Sequence, residues 1–521
     1  MFKALDRVNY DALQLNKRPE KQCPNKVKSL TDLSSVSLNL YQCLLYENLH
    51  LLPLHLIQKQ LYTALTNDQG WAIEPIIANW PFEVLRFADG LSVYERKKFE
   101  ENLEGDYFHI LEGIIKRTKH CKLKCLDFTG LKLDHTTCAK IIRYWPFMSF
   151  KGSLQTIRKI INSFSSLPGI DLFVWQMIKI MIDSEKQNLL DSRRTIRLPR
   201  GVKLEVKIDN VTVSSENIYN MLQYFITSSI RHITPLFVTV TNLTIDPVMS
   251  NNNLIDFLVL KVQDKESLKG LCFPRLEEDM LLGIQNDLTN FTNLHSLDLQ
   301  NCELYLKEGK TRNCTKTRKT LCDLLSSFNH LQRLDISRIY LYGCLGEILD
   351  ALRKPLVYLG VRFCDLKKDD IDSLVSSKHS SSLRELNLSG ICKWELFNDK
   401  DLPINLLKAL QHFPNISVLD ISDNNFLDSD TEELCEILSH KLPRLRGLDI
   451  SENLLKWENL LKLVKACCSV STMQLIKLTC IEGLELSVFD DVIQRFGGQD
   501  ILVQNMRWSR ILAIGGHAFW L

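Results

Sequence analysis

No sign of charge dominates this chain: 64 Lys and Arg stand against 62 Asp and Glu in 521 residues, a formal net charge of +2. The broad basic footprint that draws DNA or RNA is therefore missing, and no nucleic-acid partner is expected. Long apolar runs are missing too. A membrane-spanning helix needs about 18 uncharged apolar residues, and the longest candidate, Ile170 to Ile182, is interrupted by Asp171 and Lys179. No membrane span is expected. The first fifteen residues, which include Asp6, Arg7 and Asp11, lack the apolar core of an export signal. A cytoplasmic location is the expectation, with the nucleus as the alternative. Sixteen cysteines in such a compartment read as reduced, mostly buried small hydrophobes instead of a disulfide framework. The sequons Asn242-Leu243-Thr244 and Asn290-Phe291-Thr292 are then chance matches.

Catalytic signatures are equally scarce. No nucleophile elbow, phosphate loop, zinc-protease helix or kinase signature occurs. Gly309-Lys310-Thr311 resembles the end of a phosphate loop, but Leu304 stands where its first glycine belongs. Cys121 and Cys125 are separated by three residues and no second pair lies at zinc-finger distance. Cys467-Cys468 sits in a helical apolar run, and the twelve histidines are scattered. No catalytic residue, metal or cofactor is expected, and the chain does not read as an enzyme.

What is present is ordinary globular material, 45% hydrophobic and 24% charged, in a chain too long for one compact core. Self-similarity resolves the length. The pattern L-x-x-L-x-L-x-x-N/C-x-L appears as Leu294, Leu297, Leu299, Cys302, Leu304 and again as Leu331, Leu334, Ile336, Ile339, Leu341. It continues as Leu356, Leu359, Val361, Cys364, Leu366, then as Leu383, Leu386, Leu388, Ile391, where Lys393 replaces the last apolar residue. The cleanest copies are Ile416, Leu419, Ile421, Asn424, Phe426 and Leu445, Leu448, Ile450, Asn453, Leu455. Starts lie 37, 25, 27, 33 and 29 residues apart. The L-x-L centre predicts a short strand whose alternate side chains point inward, and Asn or Cys can hydrogen-bond or fill space at the turn. Helical periodicity in Leu366 to Val375 and Glu432 to Leu438 predicts a helix between strands. A doubly wound α/β sheet also alternates strand and helix, but it would not set Asn or Cys at one offset in four of six units. The expected fold is an α/β leucine-rich repeat solenoid of strand-loop-helix repeats, with a helical N-terminal cap region.

Leu123, Leu126, Phe128, Leu131, Leu133 fit the same template, and Val238, Val240, Leu243, Ile245 fit it loosely. Met473 and Leu475 predict one further strand, beyond which Trp508, Phe519 and Trp520 are candidates to cover the array's end. The organisation expected is thus 1–60 N-terminal helical region, 61–120 helical cap, 121–285 divergent repeats, 286–480 regular repeats and 481–521 C-terminal cap. Two basic stretches, Ser184 to Gly201 and Lys307 to Lys319, read as solvated loops.

The stretch LLPLHLIQKQLYTALTNDQGWAIEPIIANWPFEVLRF, Leu51 to Phe87, opens on Leu-Leu-Pro and closes on Trp-Pro-Phe. With LDFTGL at Leu126 to Leu131 and the later segments LYGCLGEILDALRKPLVYLGVRFCDL and LRELNLSG, it resembles the family of leucine-rich repeat-containing protein 14 and PRAME, over roughly residues 29 to 475. That resemblance implies a second reading upstream. Ser29, Leu30, Leu33, Ser34 and Leu38 resemble a BC box, the helix by which substrate receptors of cullin-2 ubiquitin ligases dock onto elongin C, although Ser34 stands where Cys is usual. Leu30 would be the buried anchor, with Leu33, Ser34 and Leu38 on the same face. Leu52, Pro53 and Leu56 resemble the cullin-2 box that follows it. Residues 29–61 can equally be a helical cover over the first repeat, and one helix can serve both purposes.

The function expected is therefore protein binding. The leading form is the substrate-recognition subunit of a cullin-2/elongin BC ubiquitin ligase, with elongin C, elongin B, cullin-2 and a protein substrate as partners. The alternatives are a scaffold or inhibitor in NF-κB signalling, for which the resemblance implies the IκB kinase β subunit as partner, and a PRAME-like transcriptional repressor. The substrate candidates are the polar strand positions expected on the concave face: Arg333, Asp335, Arg362, Glu385, Asn387, Asp420, Arg446 and Asp449.

Overall fold

The computed structural model describes residues 30–67, 69–89, 91, 93–131, 133, 137–138, 141, 204–213, 236–245, 266–306, 313–392, 401–478, 501–505 and 510–514. They fall into two compact units, one mainly within Pro24–Thr244 and the other mainly within Leu268–Leu521.

The first unit starts with helices α1 (Leu30–Asn39), α2 (Gln42–Asn48), α3 (Leu54–Thr66) and α4 (Gly70–Ala78), with a short 3-10 turn at Leu49–Leu51. Strand β1 (Val84–Arg86), helix α5 (Val93–Ile115), and strands β2 (Cys125–Asp127), β3 (Leu204–Val213) and β4 (Leu236–Ile245) follow. β1 pairs with β2 and β2 with β3, all parallel. The divergent repeats read at Leu126 and Val238 are thus strands, and β3 and β4 are ten residues long where the strands of the six regular motif copies are three. β1 is a strand inside the stretch read as a helical cap. Its only signal is Leu85-x-Phe87, too short to separate from a helix. Phe87, just past β1, stacks on Phe128, just past β2, at 4.6 Å between centroids, and on Phe99 of α5 at 5.4 Å.

The second unit repeats one rule. Strands β5 (Gly270–Cys272), β6 (Ser296–Asp298), β7 (Arg333–Asp335), β8 (Tyr358–Gly360), β9 (Glu385–Asn387), β10 (Val418–Asp420), β11 (Gly447–Asp449), β12 (Leu475–Leu478) and β13 (Ile501–Asn505) pair in parallel in chain order. β14 (Arg510–Ile514) closes the series antiparallel to β13. Between strands lie α6 (Glu278–Leu288), α7 (Cys314–Ser327), α8 (Leu345–Ala351), α9 (Lys368–Ser376), α10 (Leu402–Leu410), α11 (Thr431–Glu436, continued by a π turn at Ile437–Lys441) and α12 (Trp457–Cys468). The central strand residues Leu271, Leu297, Leu334, Leu359, Leu386, Leu419, Leu448 and Ile476 are all buried and stacked in register. Burial of each such side chain contributes about 1.5–3 kcal/mol. The basic stretch Lys307 to Lys319, expected as a loop, is helix from Cys314 onward. Cys314, Thr317, Leu321 and Leu324 recur at helical spacing and face inward, while Lys316 and Lys319 face solvent.

The Asn or Cys of the motif has a definite task. Cys302 donates from Sγ to the Phe273 carbonyl (3.0 Å) and Cys364 to that of Ile336 (3.1 Å). Asn424 Nδ2 donates to Leu388 O (2.9 Å) and Asn453 Nδ2 to Ile421 O (3.1 Å). Each acceptor is the residue just past the strand of the preceding repeat, so the side chain ties one repeat to the next. Asparagine does more than cysteine, because Asn453 Oδ1 also accepts the amides of Asn424 (3.0 Å) and Phe426 (3.2 Å). One residue before the Asn or Cys position the backbone turns left-handed, at Asn301, Arg338, Phe363, Asp423, Glu452 and Gly390, the last with φ +66°. Gly390 is needed for space as well, since a Cβ there would lie 1.9 Å from the Phe363 ring.

Two buried polar groups lock the second unit further. Asp370 accepts the amides of Gly343 (2.7 Å), Leu345 (3.0 Å) and Lys367 (2.9 Å). His379, fully buried, accepts the Leu356 amide at Nδ1 (2.9 Å) and faces the Leu349 carbonyl with Nε2 (3.0 Å). Nδ1 therefore carries no proton and Nε2 does. Burial lowers the pKa of this imidazole below its ordinary value.

Asn453→Ala leaves buried amides and a carbonyl unpaired and is expected to lower stability by about 2–4 kcal/mol. Asn453→Cys, which keeps the donor, should lose less. Thermal unfolding of the whole chain measures both, and equal melting temperatures for all three proteins would contradict the assigned bonds. The His379 pKa is depressed in the folded state, so its contribution is present above the unfolded value of about 6.5 and is lost as pH falls below it. The melting temperature should drop more steeply between pH 7 and pH 5, a window that contains the unfolded value of about 6.5, for the wild type than for His379→Gln.

Candidate functional site

Two surfaces qualify, the N-terminal helices of the first unit and the strand face of the second. On α1, Ser34 is exposed and Leu38 half-buried. Ser29 and the side chains of Leu30 and Leu33 lie outside the described residues. The inward face of α1 is polar, made by buried Ser35 and Asn39. Asn39 Nδ2 donates to Gln60 O and Gln69 Oε1, each at 3.2 Å, Gln69 Nε2 donates to Val36 O (3.2 Å), and the Trp71 indole donates to Asn39 O (2.9 Å). This clamp, which the sequence reading missed, fixes α1 against α3 and α4 and turns Ser34 outward. The only signal for it was a run of amide side chains, Asn39, Gln60 and Gln69, at unrelated spacings.

Downstream of the clamp, apolar side chains face solvent: Leu40 is 58% exposed, Tyr41 59%, Leu44 45%, Leu51 69% and Leu54 56%. In the segment resembling a cullin-2 box, Pro53 caps α3 and is exposed, and Leu52 and Leu56 are half-buried. Five large exposed hydrophobic side chains within fifteen residues are more than an isolated monomer ordinarily leaves uncovered.

On the strand face, the first residues of successive strands form one row and the third residues another. Arg333, Tyr358 and Glu385 are register neighbours in the first row. Arg333 reaches over Tyr358, its guanidinium 4.5 Å from the ring centroid, and grips Glu385 with two bonds of 3.2 and 2.8 Å. The Tyr358 hydroxyl donates to Asp335 (2.5 Å), and burial with the nearby carboxylate pushes the phenol pKa up. Gly360 beside it leaves room for that carboxylate, since a Cβ would sit 2.5 Å from Asp335 Oδ2.

The third row is Asp298, Asp335, Gly360, Asn387, Asp420, Asp449 and Lys477. Its Oδ1 atoms accept the amide two residues on: Gln300 to Asp298 (2.9 Å), Ser337 to Asp335 (2.9 Å), Ser389 to Asn387 (3.0 Å), Ser422 to Asp420 (3.1 Å) and Ser451 to Asp449 (3.1 Å). These acids end their own strands as well as facing outward. Lys477 Nζ lies 3.8 Å from Asp449, Arg362 stacks on Phe363 (4.9 Å), and Arg446 is partly exposed just before β11. Burial, then the adjacent Asp449 carboxylate, raises the Asp420 pKa to about 6. Among the described residues no cluster of three or more His, Cys, Asp or Glu is placed to hold a metal, and no helix is long and apolar enough to cross a membrane.

Parallel three-residue strands in register, helices between them and a recurring Asn or Cys tie define a leucine-rich repeat protein. Its curated relatives are leucine-rich repeat-containing protein 14, of the PRAME family, and Oogenesin-3, at modest identity and over part of the chain. Oogenesin-3 of Mus musculus is 31% identical over 117 residues, 22% of this chain and 23% of that one. Leucine-rich repeat-containing protein 14 is 39% identical in Xenopus laevis and 36% in Rattus norvegicus over 66 residues, 13% of each chain. The match therefore spans less than a quarter of these relatives' length. No family model matches. Among solved structures, the yeast complex of Rad7 and Elc1 aligns over 82% of this chain and 90% of that one, at 16% identity and a TM-score of 0.39.

Because its folded pKa lies above the unfolded value of about 3.9, Asp420 costs stability as pH rises from about 4 to 6. Asn387 already fills the equivalent place, so Asp420→Asn keeps the turn contact and removes the charge. The variant should gain on the order of 1 kcal/mol at neutral pH and nothing below the unfolded value. A gain that persists unchanged in acid would refute the charge argument.

Proposed function

We propose that this protein is the substrate-binding subunit of a cullin-2/elongin BC ubiquitin ligase, working in the cytoplasm and doing no chemistry itself. The observation that carries the reading is the row of exposed apolar side chains at Leu40, Tyr41, Leu44, Leu51 and Leu54, beside a helix that resembles a BC box. The polar clamp at Asn39 holds that helix with Ser34 outward, as a docking helix requires. Elongin C and, through it, elongin B cover this surface; cullin-2 meets the segment of Leu52, Pro53 and Leu56. The repeat array, with polar strand rows of both signs, holds the protein substrate.

Affinity capture of elongin C by the whole protein tests this. Truncating a buried leucine anchor costs about 2–4 kcal/mol of binding, so Leu30→Ala should lose elongin C. Leu44→Asp with Leu51→Asp, at exposed sites where folding is unaffected, should lose it too. Undiminished capture by both variants sinks the reading, as does failure of the wild type to bring down elongin C or cullin-2.

The similarity to leucine-rich repeat-containing protein 14 favours a second reading, a scaffold that restrains NF-κB signalling by holding the IκB kinase β subunit. The two diverge in outcome: a ligase lowers its partner's abundance, and a scaffold lowers only its partner's activity.

A further inference from the structure

Where the strands of the second unit begin, a cleft of about 350 Å³ opens across several repeats. Lys354, Arg384 and Arg444 line it together with the apolar Pro355 and Val357, and no carboxylate does. The strand rows behave differently. There Arg333 is engaged by Glu385 at 2.8 Å and Lys477 by Asp449 at 3.8 Å. Among the described residues Arg384 and Arg444 make no ion pair, and the Lys354 ammonium lies 3.3 Å from His330 Nδ1, which is not an acid. Three cations along one cleft without a counter-charge raise the local positive potential in a protein that is otherwise near neutral.

The cleft is held by fixed backbone. Arg384 donates its amide to Val357 O (2.9 Å), and its carbonyl accepts the amides of Ser417 (2.7 Å) and Val418 (2.9 Å). Asn415 Nδ2 donates to Ser381 O (2.6 Å), and the Ser382 hydroxyl to Leu356 O (2.7 Å). On the protein's side, binding therefore orders side chains without rebuilding backbone. Lys354 precedes β8, Arg384 precedes β9 and Arg444 precedes β11, so the cations span three strand spacings, about 15 Å. That is the length of about four or five extended residues. No aromatic ring lines the cleft for a base to stack on, while apolar lining residues among the cations suit a peptide whose acidic side chains alternate with others.

We propose that this cleft binds an extended acidic segment of a protein partner, its oxyanions gripped by Arg384, Arg444 and Lys354. Arg444 and Arg384 each offer the planar fork that matches a carboxylate or a phosphate. The site is separate from the helices assigned to elongin C, so its test does not depend on that docking.

Fluorescence anisotropy with the whole protein decides it, using labelled peptides of about six residues in which Ser alternates with Glu, with phosphoserine or with Gln. The Glu or the phosphoserine peptide should bind at least about tenfold more tightly than the Gln peptide and weaken as salt rises. The tighter of the two acidic peptides identifies the oxyanion. Arg384→Glu with Arg444→Glu should lose that binding, whereas the charge-matched pair Lys408→Glu with Lys465→Glu, on the exposed faces of α10 and α12, should keep it. Arg384→Gln with Arg444→Gln repeats the measurement without charge reversal, and an unchanged melting temperature certifies its fold. Equal binding of the Gln peptide, no binding of either acidic peptide, or equal loss in both charge-reversed pairs overturns the proposal. So does tighter binding of a single-stranded oligonucleotide that is abolished by the same arginine substitutions.

Discussion

A three-residue strand cannot satisfy its own backbone or bury its own leucine, and the whole second unit follows from that constraint. Each repeat completes the one before it. Leu359 is covered by Leu334 and Leu386, the Val357 carbonyl is taken by the amides of Arg384 and Glu385, and the turn after β7 is tied by Cys364 from the next repeat. Asparagine is the stronger tie because its amide serves carbonyls and amides together, as Asn453 does, where cysteine supplies one weak donor. The two repeats with isoleucine at this position, Ile339 and Ile391, rely on packing there. The residue before the tie is left-handed in each of these repeats.

That economy shapes the electrostatics. The outward strand positions look free in a linear pattern, yet most are engaged: the third-position acids end their own strands, Arg333 spans Tyr358 to reach Glu385, and Asp449 meets Lys477. A face neutralised from within recognises a partner by shape and hydrogen bonding more than by net charge. Unbalanced charge survives at the edge where the strands begin, at Lys354, Arg384 and Arg444. Unbalanced apolar surface survives on the helices of the first unit, at Leu40 to Leu54. Polar contacts made by Asn39, Gln69 and Trp71 hold α1 against α3 and α4.

The repeats were legible because their signal is periodic and apolar. Six copies placed the strands β6 to β11, and the upstream copy at Leu126 and the looser one at Val238 proved to be β2 and β4. Short or polar features were not legible. β1 rests on two inward residues, Leu85 and Phe87, and α7 begins within a run of lysines that reads as a loop because its inward residues are Cys314 and Thr317. The polar candidates read from the sequence lie in or beside the strands, but their mutual engagement was invisible, since Arg333 and Glu385 lie fifty-two residues apart. The edge cleft was not foreseen, because Lys354, Arg384 and Arg444 occupy different offsets in repeats of unequal length.

By itself, then, the sequence determined the solenoid, the inward leucines and the Asn or Cys ties, since each follows from a local period that any stacking must honour. It also carried the resemblance that points to the N-terminal helices. Only the tertiary structure decided which polar side chains are consumed and which remain available. That outcome depends on distances between repeats, and a carboxylate two strands away neutralises an arginine as surely as a neighbour in the chain.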